Sequence, residues 1–141
     1  MRGFHGWSLA SLTFHRSHAM NKPLVGLTLG AGLGVLDGLS ALVSAPETAP
    51  QIAAIVIGSC GKGLVAGVII GFFSRKVNNV NAGIVFGIVT SALITLPIAL
   101  APQPANNGQP YFWEILIPGM IVGLIVGFAT QRYGTRPVAR A

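Results

Sequence analysis

The sequence predicts an all-α integral membrane protein, with four transmembrane helices in two tandem helical hairpins and both termini cytoplasmic. Three observations lead there. Hydrophobic residues make up 52% of the 141 positions and charged residues only 9%, with a mean hydropathy of +0.69, which is far from a water-soluble composition. Four apolar runs carry most of the chain, at 24–43, 52–73, 80–101 and 111–129, each close to the ~20 residues a helix needs to cross a ~30 Å hydrocarbon core. The cations are also segregated relative to those runs.

Arg2, Arg16 and Lys22 precede the first run, Arg75 and Lys76 separate the second from the third, and Arg132, Arg136 and Arg140 follow the fourth. All of these fall on one side of a four-span topology, whereas Glu47 and Glu114 fall on the other. The positive-inside rule places the cationic side in the cytoplasm, and the expected location is a prokaryotic inner membrane. A formal net charge of +6 also raises nucleic-acid binding. The cations flank spans instead of gathering on one face, so contact with anionic headgroups explains them and no nucleic-acid partner is expected.

Residues 1–20 hold no apolar run long enough for a signal-peptide core or a span. They read as a disordered or extended segment, ahead of a second possible start at Met20. His15 and His18 make a poor metal site without a third ligand. The first span follows, and "GLTLGAGLGVLDG" (26–38) places glycine at 26, 30, 34 and 38. A dinucleotide loop needs G-x-G-x-x-G between a strand and a helix; Gly30, Gly32 and Gly34 miss that spacing and no strand precedes them. The break "SAPETAPQ" leads to the second span, with Gly63, Gly67 and Gly71, and "SRKVNN" to the third, with Gly83 and Gly87 continued by Ser91 and Thr95. "APQPANNGQP" leads to the fourth, with Gly119, Gly123 and Gly127, and residues 135–141 form a basic tail. Four-residue spacing lines small side chains along one helix face, where backbones can approach closely in a medium that gives helices no hydrophobic reason to associate.

The chain repeats itself. "KGLVAGVIIGFFSRK" (62–76) aligns with "PGMIVGLIVGFATQR" (118–132) at a separation of 56, and Gly26 and Gly30 meet Gly83 and Gly87 at a separation of 57. Two hairpins of common orientation are expected, related by an axis along the membrane normal.

Two charges lie inside the spans. Asp37 sits roughly 10 Å from the outer end of the first and Lys62 roughly 16 Å from the outer end of the second, at ~1.5 Å per residue. An unpaired charge at such depth costs about 2.5–3.5 kcal/mol on insertion scales, so each is a functional candidate. On the helical wheel Asp37 shares the face of Gly26 to within about 20°, whereas Lys62 stands roughly 140° from the glycine stripe of its own helix. Three readings of the pair are open: a structural ion pair, a proton or ion relay, and a Lys62 that snorkels outward. The repeat counterparts of the two are Ile94 and Pro118, so only one hairpin carries charge.

Other chemistry is sparse. No span contains histidine, Cys60 is the only cysteine, and no nucleophile–base pair or metal set is visible, so neither enzymatic activity nor a cofactor is expected. Ser59, Thr90, Ser91 and Thr95 are expected to bond to backbone or to neighbouring helices, Pro97 and Pro118 to bend their helices, and "YFWE" (111–114) to anchor at the outer headgroups. Two function classes remain: a small transporter or channel component using Asp37 and Lys62, and a structural or accessory subunit docking through its glycine faces. A homo-oligomer or other membrane subunits are the expected partners, within a lipid bilayer.

Overall fold

A computed structural model describes residues 20–135. The N-terminal segment with His15 and His18, and most of the basic tail, lie outside the described residues. Among the described residues are four α-helices: α1 (Lys22–Ser44), α2 (Ile52–Lys76), α3 (Val80–Ala99) and α4 (Phe112–Tyr133). Each is long and apolar enough to cross a membrane. The described residues contain no strand, only an isolated bridge between Asn21 and Thr135.

Local chemistry sets the helix ends. Pro23 stands in the first turn of α1, where its missing N–H is not needed, and Ala45 leaves the helix because Pro46 follows it. The Pro46–Gln51 stretch forms a 3-10 helix. Asn79 caps α3, its side-chain oxygen accepting from the Asn81 and Ala82 amides at 3.0 and 3.3 Å. The α3–α4 connection contains a 3-10 turn at Pro104–Asn106 and reverses through Asn107 and Gly108, with φ of 50° and 81°. α3 stops at Ala99, short of the expected 101, because Pro102 disfavours helical backbone at Ala101. α2 and α4 run on to Lys76 and Tyr133, past the apolar runs expected to bound them, since polar residues of the last turns, such as Ser74 and Gln131, are buried inside the bundle.

Polarity is inverted relative to a soluble protein. Glycines, Ser91, Thr95 and Thr130 are buried, whereas Val43, Ile57, Leu93 and Trp113 are exposed. α1 packs mainly on α2 and α3 mainly on α4; α1 also touches α4, α2 touches α3 and α4, and α1 and α3 do not meet. Exchanging the hairpins therefore maps every interface onto another, with α2 and α4 at the centre.

The glycine stripes make both hairpins. A β-carbon on Gly30 or Gly63 would run into the other's carbonyl, as would one on Gly26 or Gly67; Gly71 faces Pro23, Gly34 faces Ser59 and Cys60, and Gly38 faces Val56. In the second hairpin Gly87 meets Gly123 and Gly83 meets Gly127. The repeat would pair Gly87 with Gly119, so the second hairpin is slid by one turn. At that register the Thr95 side chain sits against Gly119, its Oγ1 2.7 Å from where a β-carbon would stand, whereas its repeat counterpart Gly38 packs on the Val56 backbone.

Candidate functional site

The ion pair is formed. Lys62 Nζ lies 3.0 Å from Asp37 Oδ2, and the two side chains are only 11% and 6% exposed. The glycine register explains how they meet. Gly38 of α1 faces Val56 of α2, so Lys62 is rooted about five residues deeper than Asp37, roughly 7.5 Å at 1.5 Å per residue. Side chains lean toward the N-terminus of their own helix. In this antiparallel hairpin Lys62 leans toward Asp37 and Asp37 leans toward Lys62, and a lysine stem covers the remainder. Lys62 does stand off the glycine stripe, but it turns inward and does not snorkel.

Two spaces flank the pair. At the end of the bundle that holds Pro46–Gln51 and the α3–α4 connection (the loop end), a vestibule of about 300 Å3 runs inward from Thr48, Gln103, Tyr111 and Glu114 to Lys62. Beyond it a chamber of about 10 Å3 is lined by Gly34 and Asp37 of α1, Lys62, Gly63 and Ala66 of α2, Ser91 and Thr95 of α3, and Gly119 and Val122 of α4. Ser59 and Lys62 line both spaces. All four helices converge on the chamber, and Gly34/Ser91, Gly63/Gly119 and Ala66/Val122 are repeat-related pairs, at separations of 57, 56 and 56. The duplication thus brackets the chamber, and one copy alone adds the charges. The Ser91 hydroxyl is buried without a hydrogen-bond partner, contrary to the backbone or interhelical bond expected for it.

Below the chamber the bundle is apolar. Ala66, Ile70 and Val126 form its buried core, supported by Leu29, Leu33, Phe86, Ile94 and Val122, and Phe73 stacks on Phe86 with centroids 3.7 Å apart. The opposite end, where Met20, Thr135 and the α2–α3 connection meet (the termini end), is closed by a polar network that the sequence did not disclose. Lys22, read from sequence as a cation flanking the membrane, is 2% exposed. Its Nζ donates to Ser74 O and Gln131 Oε1, both at 2.9 Å, and to Asn78 Oδ1 at 3.2 Å. Gln131 Nε2 donates in turn to Val77 O at 2.6 Å. α1, α2, α4 and the α2–α3 connection are thereby tied together. The signal that could have found this was the polar pair Thr130–Gln131 at the end of a glycine-striped helix.

At the loop end the Tyr111 hydroxyl donates to Glu47 Oε1. Tyr111 is buried, while Trp113 is 64% exposed, so of the "YFWE" stretch Tyr111 serves a contact within the chain and not the surface. The bond from Tyr111, then a backbone hydrogen bond, holds the Glu47 carboxyl below its ordinary value. The same bond, with smaller contributions from burial and from the Glu47 and Glu114 charges, pushes the phenol up to about 12.

Comparison with protein families, with curated proteins and with solved structures finds no match. The geometry of the pair and its two spaces is what carries a functional reading.

Proposed function

We propose that this chain is a small membrane transport protein, a transporter or channel component, whose working centre is the Asp37–Lys62 pair. The observation that supports it is the position of that pair where a vestibule at the loop end reaches Lys62. Opposite charges buried among helices are costly and mark ion or substrate paths, and here a space of about 300 Å3 leads to them while the core and the Lys22 network close the other side. In this reading the termini end, with exposed Arg75, Lys76 and Arg132, faces the cytoplasm and the vestibule faces outward. Four spans are few for a complete path, so a dimer is expected as the working unit.

The accessory-subunit alternative would dock a partner on glycine faces, but those of α1 and α2 fill each other, as do those of α3 and α4. Purified protein in liposomes tests the proposal. Net flux of protons, ions or small solutes that disappears in Asp37→Asn is the expected result. No flux, together with co-purification in a larger complex, defeats it.

A further inference from the structure

We propose that the chamber beneath the ion pair is a single-water site and that the species moved by this protein is the proton. The assignment rests on the transport reading above and names its substrate.

The chamber has the volume for one water molecule and no more. A buried water needs two to four polar partners, and the lining supplies them: the Asp37 carboxylate, the Lys62 ammonium and the hydroxyls of Ser91 and Thr95. Ser91 is the telling member. It is 4% exposed, its Oγ has no hydrogen-bond partner within the protein, and it lines the chamber from the helix opposite Asp37. A buried hydroxyl left unbonded carries a desolvation penalty, which a water shared with Asp37 removes.

The same lining selects against larger or permanently charged species. A metal ion entering here would bring a second positive charge beside the Lys62 ammonium, would need more oxygen ligands than the lining offers, and could not keep its hydration shell in one water's volume. An organic solute fits the vestibule but not the chamber. A proton brings no more charge than a monovalent metal ion, is neutralised by a covalent bond to the carboxylate, and needs neither a ligand shell nor added volume. An excess proton on the chamber water passes to an Asp37 carboxylate oxygen, forming an O–H bond and leaving the water neutral. The positive charge then remaining is that of Lys62, freed from its counter-ion. Besides Asp37 and Lys62, the titratable groups lining this route among the described residues are Tyr111, which is bonded to Glu47, and Glu114 of α4, both at the vestibule; α3 contributes the hydroxyls and Ile98.

The experiment uses full-length protein in liposomes, with a trapped pH dye and the membrane potential clamped by potassium and valinomycin; sodium and rubidium uptake are measured in parallel without valinomycin. Expected are proton flux without metal-ion flux, its loss in Asp37→Asn, a fall of about tenfold in Ser91→Ala, the scale of one lost hydrogen bond, and retention in Ser91→Thr. Sodium or rubidium flux, or proton flux indifferent to Ser91→Ala, overturns the proton assignment and leaves the transport reading standing. Absence of every flux overturns both. Should Ser91→Ala not fold, magnetisation transfer from water to the Asp37 carboxyl carbon of the wild-type protein in lipid decides the water site: transfer supports it, and none overturns it.

Discussion

Gly26 and Gly67 pack backbone against backbone, and a β-carbon on either would run into the carbonyl oxygen of the other. This contact, repeated at Gly30 and Gly63, sets the register that delivers Lys62 to Asp37. For helices apolar on their outer faces, as these are, close backbone approach is the kind of contact that holds a pair together in an apolar medium.

Gly67→Ala is therefore expected to destabilise the protein by about 1–3 kcal/mol, the range for overpacking a close contact. Gly61→Ala is the control. Its β-carbon would meet nothing within 4 Å, so it should not destabilise, and the better helix propensity of alanine should add up to about 1 kcal/mol. Denaturation in detergent measures both, and equal effects would contradict the packing described here.

The ion pair should behave as a coupled unit. Asp37→Asn or Lys62→Met alone leaves a charge stranded, at a cost of about 3–5 kcal/mol for a buried pair; Asp37→Asn belongs at the lower end, because the vestibule reaches Lys62. The double variant should lose much less than the sum of the two. A double-mutant cycle on unfolding free energy checks this, and additivity would dissolve the pair.

Lys22 closes the termini end, and Lys22→Met leaves Gln131 Oε1, Asn78 Oδ1 and Ser74 O without their donor. A loss of about 2–3 kcal/mol is expected, that of polar groups left unsatisfied, with faster amide exchange in the α2–α3 connection. Lys76→Met removes an exposed cation of the same end and should change stability by under about 0.5 kcal/mol. Equal losses in the two would mean that charge alone, not burial, sets the role of Lys22.

The Tyr111–Glu47 bond makes the loop end sensitive to pH in two windows. The depressed Glu47 pKa contributes stability that is present above the ordinary glutamate value and is lost as pH falls through the folded one. Tyr111 is an acid with a raised pKa, about 12, so its contribution is complete below the ordinary phenol value and is lost as pH rises toward 12. Ultraviolet titration of the tyrosines should find one titrating near 12, and Glu47→Gln should bring it down toward the ordinary value. A phenol indifferent to Glu47→Gln would rule the bond out.

Much of the fold was legible because membrane spans are written locally. Twenty apolar residues between polar breaks define a helix wherever it packs, and glycines four apart define a face that touches another helix. The inward direction of Asp37 followed from the same periodicity. Lys62 was harder, since its distance around the wheel from the glycines left inward and outward readings open. Lys22 was misread because a cation at the start of a span ordinarily meets headgroups, and nothing near it in sequence announces Ser74, Asn78 or Gln131.

The sequence by itself determined the four helices, their small-residue faces, and the restriction of charge to one hairpin. Only the tertiary structure decided that those faces serve contacts within the chain, that Lys62 reaches Asp37, and that a vestibule and a chamber lie on either side of the pair. The physical reason is register. Spacing along one helix fixes which residues share a face, whereas the meeting of a lysine on one helix with an aspartate on another depends on the slide between the two. That slide follows where the backbones touch, and it differs by one turn between the two hairpins although their glycine spacings match.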